Sequence, residues 1–173
     1  LLNPGSPLEA KTYFRHEAGA GYATPAPLVN LPPTILAKDY TLNFCTIVSK
    51  TYVIRVLALY LSLRKSTPGF HLYICAMDDI AYDILTSAKL KSATIFKVED
   101  FENQALLREK ESKSLMEYCW TIKPSLILYV LERYNISSVI YTDADMYFFS
   151  SCNELLEQWK GYSVFMCRQR ESF

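Results

Sequence analysis

Two aspartates one residue apart, Asp143 and Asp145, close the run Ser138-Val139-Ile140-Tyr141-Thr142-Asp143-Ala144-Asp145-Met146-Tyr147-Phe148. The first half of the run is β-branched and apolar, the composition of a strand. Side chains at i and i+2 share a strand face, so a strand that gives way to a turn here aims both carboxylates at one small volume. Two anions that close repel each other unless something positive lies between them. A hard divalent cation, Mg²⁺ or Mn²⁺, meets that need and also takes substrate phosphates as ligands. The alternative is purely structural: in a chain with 18 acidic residues, Asp-X-Asp also arises as a helix cap or turn stabiliser. The apolar strand before the pair favours the metal, because α/β sheets bind ligands at the carboxyl ends of their strands.

The elements that must position this pair alternate strand with helix. Asn43–Val48 is a short apolar run suited to a buried strand at the core of the fold. Ser49 and Thr51 are the expected N-caps of a helix that runs to about Lys65, with Val53, Val56, Leu57, Tyr60 and Leu61 on its apolar face. Thr67-Pro68-Gly69 punctuates it, and Phe70–Ala76 is a second strand ending at Asp78-Asp79. A helix through about Leu90 and a third strand over Ala93–Val98 follow. Glu99 to Lys113 reads as a loop plus a surface helix. Ser114 to Tyr134 is helical, with a kink or restart at Pro124. Val139–Thr142 is an inner fourth strand, Asn153–Trp159 a short helix and Tyr162–Cys167 a fifth strand. The expected fold class is α/β, a mostly parallel sheet flanked by helices through right-handed crossovers.

Composition excludes several alternatives. The chain has 173 residues, half of them hydrophobic, enough for one packed domain and too apolar for a disordered chain. Formal net charge is zero, and no Arg-rich stripe appears, which argues against nucleic acid as a partner. No stretch reaches the roughly 18 uninterrupted apolar residues of a membrane span; the longest candidate, Val53 to Leu63, is broken by Arg55. Cys45, Cys75, Cys119, Cys152 and Cys167 form no CxxC pair, so they read as reduced thiols of a cytoplasmic protein rather than a zinc site. Residues 1–37 hold six of the eight prolines and three of the five glycines and read as an irregular leader, with residues 38–173 as the folded domain. The start at Leu1 and the stop at Phe173 point to a piece of a longer protein, truncated at the C-terminus.

Over residues 40–170 the chain resembles GT-A type nucleotide-diphospho-sugar glycosyltransferases, the bacterial ones most closely and the glycogenin-like family 8 enzymes more distantly. The matching stretches are Thr46–Tyr52 with the helix Val56–Leu63, then Leu72–Asp79, Glu117–Pro124 and Val139–Ser151. The resemblance implies a Rossmann-like GT-A nucleotide-binding half in which Asp143 and Asp145 hold Mn²⁺ or Mg²⁺ on the donor's diphosphate, with Asp145 the stronger ligand. It further implies that Val48, Ser49 and Tyr52 line the base pocket, and that Asp78 meets base or ribose. Lys123 would meet donor phosphate or sugar, and Ala144 would lie against the donor. The donor would be a nucleotide-diphospho-sugar; the acceptor, whether sugar, lipid or protein, is undefined. Each assignment has a structural counterpart: Tyr52 packing at a helix start, Asp78 capping a helix, Lys123 solvated. The catalytic base would lie in a further half, and Arg168 and Arg170 are phosphate candidates beyond the fifth strand.

Two other readings compete. One is a non-catalytic nucleotide-binding or structural domain. The other is a haloacid-dehalogenase-type phosphatase, whose first Asp is a nucleophile; that motif normally sits on the first strand and continues with Thr or Val, whereas here it follows the fourth and continues Met146-Tyr147.

Overall fold

The computed structural model describes residues 41–152 and three positions beyond them, 156, 164 and 166. Residues 1–40, including the Pro/Gly-rich leader, and Arg168 and Arg170 therefore lie outside the described residues. Of the fifth strand expected at 162–167, the two described positions, Val164 and Met166, are exposed and in no strand.

Among the described residues four parallel strands make one sheet: β1 (Leu42–Val48), β2 (Phe70–Ala76), β3 (Ala93–Lys97) and β4 (Ile140–Tyr141), in the order β3-β2-β1-β4. The fold is α/β and Rossmann-like. β1 and β2 run in full register from Leu42 against Phe70 to Val48 against Ala76. Both are near-continuous apolar runs because both of their faces are covered. Alternation puts Cys45 and Ile47 on one face, where they join Tyr73, Cys75, Phe96, Tyr118, Ile122, Leu126 and Val130 in a single cluster. Phe44 and Val48 point to the other face, that of α1 (Val53–Ser66) and α2 (Asp79–Ser87), whose Val56, Leu59, Leu63, Ala81 and Leu85 are buried.

The helix boundaries follow local chemistry. Gly69, at φ 74°, turns the chain out of α1, and its carbonyl accepts from Leu42 N at 2.8 Å, fixing the start of β1. α2 ends at Ser87, earlier than the pattern to Leu90 implied, because Lys89 and Ser92 adopt left-handed φ of 46° and 55°. Asn103 caps α3 (Gln104–Ser112) through bonds from Ala105 N and Leu106 N. Ser114 and Glu117 form a capping box on α4 (Leu115–Thr121). The restart expected at Pro124 occurs: α5 (Lys123–Arg133) carries Pro124 in its first turn, where the missing N–H deprives no carbonyl.

Two expectations change. β4 spans two residues rather than four, and among the described residues its one sheet neighbour is β1, so it borders the described sheet instead of lying inside it. Pairing persists one step further as a single bond, from Thr142 N to Cys45 O at 3.0 Å. Ser49 and Thr51 do not cap α1; their hydroxyls bond each other at 3.0 Å, and Lys50–Tyr52 forms a 3₁₀ turn leading into the helix.

Candidate functional site at the carboxyl ends of β1 and β4

The order β3-β2-β1-β4 fixes where a ligand would bind. The chain leaves β1 toward β2 on one side, while β4 flanks β1 on the other, so the carboxyl ends of β1 and β4 border the topological switch point. Asp143 and Asp145 stand there. Met146 N donates to Asp143 O at 3.1 Å, closing a turn with Ala144 and Asp145 at its centre. Ala144 is buried beneath that turn, while both aspartates are exposed. The turn is pinned beyond its far end as well: Phe148 N donates to Ser62 Oγ of α1 at 3.0 Å, and the Phe148 ring meets Phe44 of β1 edge-on at 5.6 Å.

Each aspartate has its own cation, and the two cations come from different helices. Lys123, the first residue of α5, places Nζ 2.9 Å from Asp143 Oδ1 and 4.9 Å from the centre of the Tyr141 ring. Tyr141 donates its hydroxyl to the same oxygen at 3.1 Å. Burial, together with the Asp143 charge, pushes the Tyr141 phenol well above its ordinary value, so it stays protonated and remains a donor. Asp145 Oδ2 lies 3.5 Å from Arg55 Nη1, long for a hydrogen bond. The Arg55 guanidinium sits 4.5 Å above the Tyr52 ring. Arg55, Ala58, Asp145, Met146 and Tyr147 line an open groove of about 430 Å³. Tyr147 also borders a second groove of about 420 Å³ with Lys65, Phe148 and Phe149.

The other sequence candidates fall into two groups. Tyr52 and Lys123 stand at the switch point beside the acidic pair. Val48 belongs to the core: its side chain is buried and its carbonyl accepts from Met77 N at 2.9 Å. Ser49, half-buried, is paired with Thr51. Asp78 is engaged by backbone on both oxygens: Oδ1 caps α2 through Ala81 N at 2.9 Å, and Oδ2 accepts from Lys50 N at 2.8 Å. It therefore ties the loop after β1 to the start of α2. His71 lies at the amino end of β2, bonded to Thr94 at 2.8 Å, at the opposite end of the strands from the acidic pair. Cys45, Cys75 and Cys152 are buried and Cys119 half-buried, all as free thiols; burial pushes the Cys45 thiol up to about 12.

Arg55 was not among the residues that the sequence singled out, although it carries a signal. A cation in the first turn of a helix opposes the helix dipole, and α1 has no acidic residue there to offset it. Lys123 breaks the same rule at the start of α5. The two violations of local preference fall at the same end of the sheet, where a ligand site would be expected to override helix-end preferences.

No family model matches the sequence. It is similar to two uncharacterized proteins of Bacillus subtilis (strain 168). YfnD is 29% identical over 133 residues, 76% of this chain and 43% of YfnD. YfnF is 31% identical over 129 residues, 74% of this chain and 43% of YfnF. The chain thus spans less than half the length of the curated relatives it matches.

Among the described residues no group of three or more His, Cys, Asp and Glu side chains could cage an ion. Asp143 and Asp145 are two carboxylates at one turn, each ion-paired, and a Mg²⁺ or Mn²⁺ held by them would need substrate phosphates and water to complete its shell. The charges also fit. Arg55, Lys123, Asp143 and Asp145 sum to zero, so a divalent ion would bring in a charge that a diphosphate balances.

Proposed function

We infer that this chain is the nucleotide-binding half of a metal-dependent GT-A type glycosyltransferase, which binds a nucleotide-diphospho-sugar and passes the sugar to an acceptor. The observation that carries the reading is the acidic turn after β4, set at the switch point between two basic helix N-termini. Asp143 and Asp145 would hold Mn²⁺ or Mg²⁺ through their carboxylates. When bound, the ion would neutralise charge developing on the departing nucleoside diphosphate. Lys123 and Arg55 add two positive charges at helix ends, where anions are already favoured. Tyr52, 39% exposed, offers a ring face for a base. Ala144, buried at the centre of the turn between the two aspartates, would lie against the donor. The free, buried thiols support a cytoplasmic setting. No helix of the described residues is long and apolar enough to cross a membrane.

Thermal denaturation tests the reading. A ligand that binds only the native state stabilises it, by about 2.7 kcal/mol at a hundredfold excess over Kd. Mn²⁺ with a nucleoside diphosphate should raise the melting temperature of the wild type and leave Asp145→Ala unmoved. An equal shift in both proteins, or none in the wild type at millimolar nucleotide, would reject it. A shift without measurable donor turnover would favour a binding domain that does not catalyse.

A further inference from the structure

We propose that Arg55 is an exchangeable counter-ion: it neutralises Asp145 in the free protein and turns to the diphosphate when metal and nucleotide arrive together. The inference rests on the metal–diphosphate reading above and assigns Arg55 a role within it. Three observations carry it. The guanidinium lies 3.5 Å from Asp145 Oδ2, an ion-pair distance too long for a strong hydrogen bond. Both partners are about half exposed, at 54% and 49%, so the pair is weak and easily exchanged. The Tyr52 ring supports the guanidinium from below at 4.5 Å, which keeps it at the groove whether or not Asp145 holds it. Arg55 also lines the groove of about 430 Å³ that Asp145 lines, so its guanidinium is within reach of the space a diphosphate would enter.

The two roles have opposite signs. In the absence of phosphate, Arg55 competes with a metal for Asp145 and so opposes metal binding. In its presence, Arg55 contacts phosphate and favours the ternary complex. The exchange therefore couples the two ligands: the metal alone binds weakly, and phosphate relieves the competition. Lys123 lies closer to its carboxylate, at 2.9 Å, in a hydrogen bond and over the Tyr141 ring. It is the tighter pair and the one less ready to exchange.

The experiment measures Mn²⁺ binding to the full chain by electron paramagnetic resonance of free Mn²⁺, with and without inorganic pyrophosphate, in wild type, Arg55→Ala and Arg55→Lys. An exposed pair of this kind sets the scale of competition, so Arg55→Ala should bind Mn²⁺ alone roughly 2- to 5-fold more tightly. The same variant should bind pyrophosphate in the presence of Mn²⁺ about 10-fold more weakly, the loss of one charge-assisted contact. Arg55→Lys keeps the charge and should stay within about 2-fold of wild type for Mn²⁺ alone. If Arg55→Ala weakens both bindings, or changes neither while wild type binds Mn²⁺ and pyrophosphate, the counter-ion role falls and the metal–diphosphate site stands. If wild type binds no Mn²⁺ even with pyrophosphate, the metal–diphosphate reading itself falls. Far-ultraviolet circular dichroism of each variant checks that the overall helix content is unchanged.

Discussion

Asp78 offers the sharpest test of how this site is held together, because each of its oxygens carries a separate duty. Oδ1 caps α2 through Ala81 N at 2.9 Å, and Oδ2 accepts from Lys50 N at 2.8 Å, reaching across 28 positions of sequence. Removing an Asp cap costs about 1 kcal/mol. A backbone bond to a carboxylate at a partly exposed position is worth about 1 kcal/mol more. Asp78→Ala should therefore destabilise the domain by about 2 kcal/mol, or roughly 5–10 °C in melting temperature for a domain of this size. Asp78→Asn separates the two duties. Its amide has one acceptor oxygen, so whichever way it turns it keeps one bond and loses the other, and the expected loss is about half. Urea denaturation at neutral pH, followed by circular dichroism, reads both numbers. If Asp78→Ala melts within 1 °C of wild type, the tether argument is refuted, and a carboxylate kept for ligand binding becomes the better account of the residue.

Two further outcomes follow from the packing. Ser62 is buried and accepts from Phe148 N while donating to Leu59 O at 2.7 Å, so Ser62→Ala should cost about 1–2 kcal/mol and speed amide exchange at Phe148 more than at β2. Burial raises the Cys45 thiol to about 12 from an ordinary value near 9. Between those limits the unfolded chain loses its thiol proton and the native one keeps it, so stability is full below pH 9 and falls above it, by about 1.4 kcal/mol per pH unit from this group. The urea midpoint should drop from pH 9 to 10.5, and Cys45→Ala should drop less steeply; equal slopes would show that Cys45 does not contribute.

Elements with strong periodicity were readable from the sequence, and those defined by long-range partners were not. β2 was placed to the residue because Phe70–Ala76 is apolar throughout and bounded by Gly69 and Asp78, two positions with local backbone duties. α2 was overextended because left-handed backbone at Lys89 and Ser92 has no signature in residues that are not glycine. β4 was overextended because Val139 and Thr142 have strand chemistry, yet whether a residue pairs depends on β1, nearly a hundred positions away. The same limit governs the site. Asp143 and Asp145 were legible because their spacing is local. Arg55 was invisible as their partner because it lies on the exposed face of α1, where a cation is unremarkable, and meets Asp145 only after the sheet forms. Asp78 reads as a cap somewhat more readily than as a ligand; the structure shows the cap and adds a bond from Lys50 that no pattern within ten residues reveals.

A two-residue strand is a poor mount for a site that needs fixed geometry, and the contacts around β4 show how the fold compensates. The acidic turn does not hang from the strand alone. Before it, Thr142 N reaches the carbonyl of Cys45 in β1, a strand buried on both faces. After it, Phe148 is held by Ser62 of α1 and packs on Phe44 of the same β1. Both anchors therefore trace to β1 and the helix that follows it, and Arg55 and Tyr52 belong to that same connection. Asp145 and Arg55 are both anchored through β1 and α1, while Lys123 arrives on α5, which packs on the opposite face of the sheet. A substitution that loosens β1 should thus displace the turn and Arg55 together, whereas one that loosens α5 should move only Lys123. The two ion pairs report on separate halves of the core, and that independence makes the exchange proposed for Arg55 separable from the fixed pair at Asp143.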